Sequence, residues 1–203
     1  MRQLGLVRVE RIGHAVVCSW NPENPASKAL SRLLEELDSG PAGEPDDDTL
    51  FWNLRRFDAP LARAGSKGKE LTLEETLGHA LKLARRYPDV ARVWPIVLAR
   101  HRSEADLDAL VRLAGRLREK RTLGFFLSLT RTLMKDPSLS RHESALRDRR
   151  MGKTQDFFPA ERGERARALA DLRTPDVAKR WHFRMNMPME SFQSAFDKFS
   201  GAR

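Results

Sequence analysis

The residues whose chemistry could support catalysis are few in this chain and lie far apart. Its 203 residues include one cysteine, Cys18, and five histidines, no two of which are spaced four residues apart. Zinc sites and cysteine nucleophiles need histidine or further cysteine partners, at short spacing or brought together by the fold. An enzyme that assembles its site from Cys18, His79 and His182 is therefore the catalytic alternative left open. Beyond it, the sequence predicts no catalytic residue, no metal ligand and no cofactor.

Gly152, Lys153 and Thr154 form the one string that is similar to a phosphate-binding loop. Such a loop needs another glycine five residues earlier and a buried strand before it, because the glycines let backbone amides approach the phosphates. Position 147 is an arginine, and the residues around it are strongly basic. The sequence therefore disfavours nucleotide hydrolysis.

Three adjacent carboxylates, Asp46, Asp47 and Asp48, close a loop that is rich in glycine and proline. Carboxylates grouped in this way can bind a metal ion, and they can also cap the start of a helix. Leu50 and Leu54 follow them at helical spacing. A helix cap in a solvated loop is therefore the favoured interpretation.

The composition predicts a globular protein with a single domain, residues 1–203. Hydrophobic residues make up 40% of the chain and charged residues 32%, which supports a core without disulfide or metal crosslinks. A single cysteine fits a reducing compartment, and charges interrupt the apolar residues at the N-terminus, unlike in a signal peptide. No run of about 18 apolar residues occurs. We therefore expect a cytoplasmic location and no membrane partner.

The net charge of +9 arises after the first third of the chain. Lysine and arginine number 10 against 11 acidic residues in residues 1–71, 17 against 10 in residues 72–150, and 10 against 7 in residues 151–203. Arginines dominate the 37 cations, which suits bidentate phosphate contacts but also follows from GC-rich coding DNA. The candidate anion-binding or nucleic-acid-binding residues are Arg85, Arg86, Arg92, Arg100, Arg102, Arg112, Arg116 and Lys120. The last three, Arg112, Arg116 and Lys120, are predicted to share one helix face.

The order of predicted elements divides the chain into three sub-regions. Residues 1–71 should hold a β-hairpin, a helix that starts at Asn24 and a helix after the three aspartates. Residues 72–150 should form a succession of helices, the first of which begins with a capping box from Thr72 to Glu75. The apolar run 122–134 should be the buried central helix. Residues 151–203 should contribute a helix from Pro159 through Leu169 and Leu172, with Gly163 as an internal weak point, followed by a strand and a last helix. No residue pattern recurs at a fixed period, so a compact bundle is favoured over a solenoid.

The stretch from Arg180 to Phe199 combines two periods. Apolar and polar residues alternate over 181–187, as in a half-buried strand, and Pro188 ends this run. Four apolar residues then recur at helical steps: Met189, Phe192, Phe196 and Phe199. In one interpretation the strand pairs with the N-terminal hairpin and both apolar faces complete the core. In the other, the methionine and phenylalanine face of the helix is exposed and binds a partner.

Together these patterns predict a mainly α, α+β fold with a central antiparallel helical bundle, a small N-terminal β-hairpin and a C-terminal strand plus helix. The function predicted from them is non-catalytic binding of another macromolecule, most favourably a protein. An adaptor, an inhibitor and an immunity-type antagonist of a toxin all fit this description. The alternative is a nucleic-acid-binding module that uses the arginines of residues 72–150 for backbone contacts without reading sequence.

Overall fold

The computed structural model describes residues 7–12, 15–21, 24–27, 44–147, 152–159 and 163–201. The chain forms two compact units, Met1–Glu44 and Pro45–Arg203, and the second contains most of the helical residues. The protein is mainly helical, as predicted. That all 203 residues form a single domain stays a prediction.

Two antiparallel strands characterise the first unit. They are β1, Val7–Ile12, and β2, Ala15–Trp20, and their register sets Val7 opposite Trp20. Downstream, the backbone amide of Ala26 donates to the side-chain oxygen of Asn24 at 2.9 Å, which is the contact expected of a helix cap. The rest of the helix predicted after Asn24, from residue 28 onward, lies outside the described residues.

The second unit is a series of helices with one small sheet. Its strands are β3, Gln155–Asp156, and β4, Phe183–Arg184, and a short 3₁₀ turn spans Pro137–Leu139. Its α-helices are α1 Asp47–Arg56, α2 Leu73–Ala84, α3 Pro88–Arg100, α4 Leu107–Arg116, α5 Lys120–Met134, α6 Ser140–Leu146, α7 Glu164–Arg173, α8 Asp176–Lys179 and α9 Met189–Phe199.

Side-chain caps explain where three of these helices begin. Asp46 caps α1 by accepting a hydrogen bond from the amide of Thr49 at 2.7 Å, and this bond lowers the pKa of the Asp46 carboxyl. Thr72 and Glu75 form the predicted capping box of α2, with both reciprocal hydrogen bonds present. Asp106 caps α4. These starts are local properties of the sequence, and the predictions for α1 and α2 are confirmed.

Helix α5 is the centre of the core, and the prediction for residues 122–134 is confirmed. Helices α3, α4 and α6 all contact it. The ring of Phe126 stacks on Trp94 of α3, with centroids 4.7 Å apart. The neighbouring Phe125 makes edge contacts with Phe157, which follows β3, and with Phe183, which belongs to β4. The aromatic side chains of α5 thus join the helices to the small sheet.

The C-terminal strand differs from its prediction. The alternation of burial expected over residues 181–187 is present, but only Phe183 and Arg184 form a strand, and β4 pairs in parallel with β3 rather than with the N-terminal strands. The chain enters β4 from a turn in which His182 adopts a left-handed backbone conformation, with φ of 55°. Just after β4, the backbone amide of Met185 donates to the hydroxyl of Thr174 and not to a neighbouring strand.

Helix α7 also departs from its prediction. It begins at Glu164 rather than at Pro159, because Gly163 at φ of 140° is its N-cap and not an internal weak point. None of its residues is buried. The predicted apolar positions Leu169 and Leu172 are 41% and 83% exposed. Helix α7 therefore lies on the outside of the unit and contributes no core face.

Candidate anion-binding groove

A groove of about 460 Å³ opens on the second unit, between α7, the segment around β3 and β4, and the first turns of α3 and α9. We call it the arginine groove after its four cationic lining residues, Arg92, Arg167, Arg173 and Arg184. Its volume lies in the range of small-molecule sites in proteins, about 300–1,000 Å³. Asp156 is the one carboxylate among the described residues that line it.

Hydrogen bonds to neighbouring side chains hold two of the groove arginines in place. The Nε atom of Arg92 donates to the Ser191 hydroxyl at 3.0 Å, which links α3 to α9. The Nε atom of Arg184 donates to Asp156 at 2.6 Å, and its Nη1 atom lies 3.7 Å from the carboxylate of Asp171 on α7. The hydrogen bond with Asp156 raises the pKa of the Arg184 guanidinium, which keeps it charged.

The other two arginines project from α7. The Nη1 atom of Arg173 donates to the side-chain oxygen of Asn186 at 3.2 Å, next to β4. The side chain of Arg167 makes no hydrogen bond or ion pair with any residue that the structure describes. Both are exposed. Ala166 and Ala170 of the same helix also line the groove.

Apolar side chains form the floor of the groove. Met185 and Met187 are almost fully buried, with 2% and 4% exposure, and Phe158 is half-buried. All three line the groove. Methionine adapts its shape to irregular apolar groups, and a phenylalanine ring offers a flat face for stacking. The groove therefore combines positive charge at its walls with an apolar base.

Thr174 anchors the α7 wall to β4. Its hydroxyl, in a side chain only 5% exposed, accepts a hydrogen bond from the amide of Met185 at 2.9 Å and donates to the carbonyl of Ala170 at 2.6 Å. Thr174→Val keeps the shape but leaves the Met185 amide without an acceptor, so we expect the free energy of unfolding to fall by about 1–3 kcal/mol. Urea denaturation measures this loss. Thr174→Ser, which keeps the hydroxyl, should lose less; equal losses would contradict the assigned role.

Among the eight cations predicted to bind anions, Arg92 alone lines the groove. Arg85 does not line the groove and instead donates to the backbone carbonyls of Asp156 and Phe157, at and next to β3, each at 3.4 Å. Arg86 pairs with Asp47 of α1 at 2.5 Å. Both side chains therefore tie elements of the fold together.

Arg100 and Arg102 have the same kind of structural role at the end of α3. Arg100 donates to the carbonyl oxygen of Asp58 at 2.6 Å and also to the carbonyl oxygen of Phe199. Arg102 donates to the hydroxyl of Ser138 at 3.3 Å. These hydrogen bonds connect α3 to the ends of α1 and α9 and to the 3₁₀ turn.

The helix face predicted to carry Arg112, Arg116 and Lys120 does not form. Helix α4 ends at Arg116, the chain turns through Arg118 at a φ of 60°, and Lys120 is the first residue of α5. Arg112 and Arg116 therefore lie on one helix, and Lys120 lies on the next. Arg112 lies 3.8 Å from Asp106, and both side chains are largely exposed.

The C-terminal apolar face belongs to the core. Phe192 and Phe196 are 0% and 7% exposed, and Met189 and Phe199 are partly buried against the same cluster. Helix α9 packs on α3 through this face. The alternative in which Phe192 and Phe196 form an exposed partner-binding surface is therefore wrong, because the helix places them at the centre of an interhelical contact.

The three aspartates before α1 have structural partners. Asp46 is the helix cap, Asp47 binds Arg86 and the Tyr87 hydroxyl, and Asp48 pairs with Arg63 at 2.6 Å. No group of histidine, cysteine, aspartate and glutamate side chains within the described ranges is arranged to hold a metal ion.

Of the remaining candidates for catalysis and phosphate binding, His79, His182 and Gly152–Thr154 are not among the residues that line the groove. His79 belongs to α2 and His182 to the turn before β4, whereas the side chain of Cys18 is outside the described part of the structure. The enzymatic alternative that joins these three stays a prediction. Gly152–Thr154 is exposed and leads into β3, not into the helix that a phosphate-binding loop requires.

Sequence reasoning missed Arg167, Arg173 and Arg184. A signal for Arg184 was present, because the polar positions of the alternating 181–187 run include Arg184 and Asn186, and both line the groove. Arg167 and Arg173 line the groove together with Ala170, but the sequence predicted only a helix here and gave no signal that set these two arginines apart from the others.

No protein-family model matches this chain, and no curated protein and no solved structure matches it significantly either. Among the helices that the structure describes, none has the length and apolar character needed to cross a membrane.

Proposed function

We propose that this is a non-catalytic protein that binds another macromolecule, most favourably a protein, through an acidic segment that enters the arginine groove. The observation that carries the proposal is the composition of the groove, which has four arginines against one aspartate. That aspartate is itself bound by Arg184 at 2.6 Å. Lining groups of this kind attract negative charge and provide donors for carboxylate or phosphate oxygens.

The proposed partner is a protein because of the shape and base of the groove. A bounded groove with Met185 and Met187 in its floor suits a short segment that presents an anionic group and an apolar group together. Non-specific nucleic-acid binding instead needs a row of cations that follows the phosphate backbone. The row predicted in residues 72–150 is interrupted at Arg118, and Arg85, Arg86 and Arg100 are engaged within the fold.

The wider setting of this proposal is a cytoplasmic protein built on a central antiparallel helical bundle. An adaptor, an inhibitor and an immunity-type antagonist would each use the groove in the same way, by holding an acidic segment of the partner. Nucleic acid is the alternative partner. It is favoured by the exposed cations at the junction of α4 and α5, Arg116, Arg118 and Lys120.

Charge reversal within the groove tests the proposal. Arg167→Glu removes a groove cation that has no partner among the described residues, so the fold should tolerate it. Arg165→Glu makes the same change two residues earlier on α7, at an exposed position that does not line the groove. Tagged full-length wild type and both variants are used to recover partners from native lysate, with and without nuclease, and the products are identified by mass spectrometry and nucleic-acid staining.

We expect wild type and Arg165→Glu to recover a discrete protein that survives nuclease treatment. The amount of this protein recovered with Arg167→Glu should be at least about tenfold lower, a loss of the size that truncation of central interface arginines often causes. Recovery that disappears with nuclease would replace the protein partner with nucleic acid. A protein recovered equally by all three chains would show that the groove is not its binding site, and would overturn the proposal.

A further inference from the structure

We infer that the anion recognised by the arginine groove is a phosphomonoester dianion on an apolar carrier, as in a phosphorylated side chain of the protein partner. This inference rests on the proposed function and adds the chemical class of the ligand. It follows from three features of the groove: its charge, the orientation of its arginines and its apolar floor.

The charge of the groove exceeds what a single carboxylate can neutralise. Four guanidinium groups line it, and the carboxylates of Asp156 and Asp171, which both pair with Arg184, offset two of these charges. A glutamate or aspartate of the partner brings one negative charge. A phosphomonoester brings about −1.5 to −2 at neutral pH, and concentrates it on three acceptor oxygens around one atom. A phosphate therefore balances the groove more completely than one acidic residue.

The arginines are held so that their donors remain available. Arg92 is fixed through Nε to Ser191, which leaves both of its terminal nitrogens without a bond to a described residue. Arg173 is fixed through one terminal nitrogen to Asn186. Arginine forks positioned in this way bind phosphate oxygens in pairs and lose less side-chain freedom on binding.

The floor of the groove favours a phosphate with an attached apolar group. Phe158, Met185 and Met187 lie in the same groove as the arginines. Inorganic phosphate would leave this surface in contact with water, whereas an aromatic or aliphatic carrier would cover it and gain from burial. A phosphorylated side chain supplies both parts in one ligand.

The experiment measures binding of small probes to the full chain by isothermal calorimetry and by shifts of groove amide signals in NMR spectra. The probes are phenyl phosphate, benzoate, inorganic phosphate and a nucleoside monophosphate. Each is titrated at about pH 5.5 and about pH 7.5, on either side of the second phosphate pKa of about 6. Benzoate is the matched aromatic monoanion, and its pH dependence reports any titration of the protein itself. Wild type, Arg167→Glu and Arg165→Glu are compared.

We expect phenyl phosphate to bind at least about tenfold more tightly than benzoate at the higher pH, and to weaken about fourfold at the lower pH as the dianion is protonated. Arg167→Glu should weaken it about tenfold and Arg165→Glu should not. Shifted signals should come from residues 166–173 and 184–191.

Other outcomes overturn the inference in distinguishable ways. Equal binding of benzoate and phenyl phosphate, with no pH dependence, would make the groove a carboxylate site; the proposed function then stands if Arg167→Glu still abolishes partner recovery. Binding of inorganic phosphate as tight as that of phenyl phosphate would remove the role of the carrier. A nucleoside monophosphate that binds about tenfold more tightly than phenyl phosphate would assign the groove to a nucleotide ligand. Absence of binding by every probe would refute the phosphate site, and partner recovery independent of Arg167 would then refute the proposed function too.

Discussion

Phe192→Asp is expected to abolish the cooperative unfolding transition of the helical unit. Phe192 is fully buried between α9 and the rest of the core, and its ring lies 6.4 Å from that of Phe125. Truncation of a buried phenylalanine to alanine costs about 3–5 kcal/mol, and a carboxylate at the same place must also lose its hydration. Because domains of this size are stable by only about 5–15 kcal/mol, the variant should be largely unfolded.

Circular dichroism during thermal and urea denaturation measures this effect. Ser194→Asp adds the same charge two residues later, at an exposed position of the same helix, and should change the free energy of unfolding by no more than about 0.5 kcal/mol. A Phe192→Asp variant that unfolds like wild type but loses its partner would restore the interpretation of this face as an exposed binding surface.

Two glycine-to-alanine substitutions in helices should change stability in opposite directions. A Cβ atom at Gly124 of α5 would lie 2.1 Å from Cη2 of Trp181, whose buried indole Nε1 is fixed by a hydrogen bond to the Ser128 hydroxyl at 2.7 Å. At Gly115 of α4 the nearest obstacle is the flexible end of the Lys120 side chain, at 3.1 Å. Gly124→Ala must therefore displace a rigid ring from a packed core, whereas Gly115→Ala only needs a lysine to move.

We expect Gly124→Ala to lower the free energy of unfolding by about 1–3 kcal/mol, the usual cost of overpacking, in spite of the better helix propensity of alanine. Gly115→Ala should raise it by up to about 1 kcal/mol, because alanine loses less backbone entropy in a helix. Urea denaturation of both variants under one set of conditions shows whether each substitution raises or lowers the free energy of unfolding. Stabilisation by Gly124→Ala would mean that Trp181 does not pack against α5 at this position.

For the fold, the features predicted correctly are those that depend on neighbouring residues. The cap at Asp46, the capping box from Thr72 to Glu75 and the apolar run that forms α5 all act within one or two helical turns. A hydrophobic period is likewise a local property, so the buried positions of α9 and the alternating burial over 181–187 were readable from the chain.

Contacts between distant segments explain what the sequence missed. The parallel pairing of β4 with β3 depends on residues 28 positions apart, and nothing in two-residue strands specifies a partner. The sequence placed Leu169 and Leu172 on a helix but did not show that other elements already enclose the core, which leaves Leu172 exposed. Patterns within a segment report which face is apolar and do not report what covers it.

The candidate site divides in the same way. The sequence by itself determined that the chain is basic, rich in arginine, mainly helical, and built around α5, because composition and periodicity are properties of the chain alone. Only the tertiary structure decided which arginines act together. Arg92, Arg167, Arg173 and Arg184 come from α3, α7 and β4, three segments that only the tertiary fold brings to one groove, while Arg85, Arg86 and Arg100 are engaged within the fold.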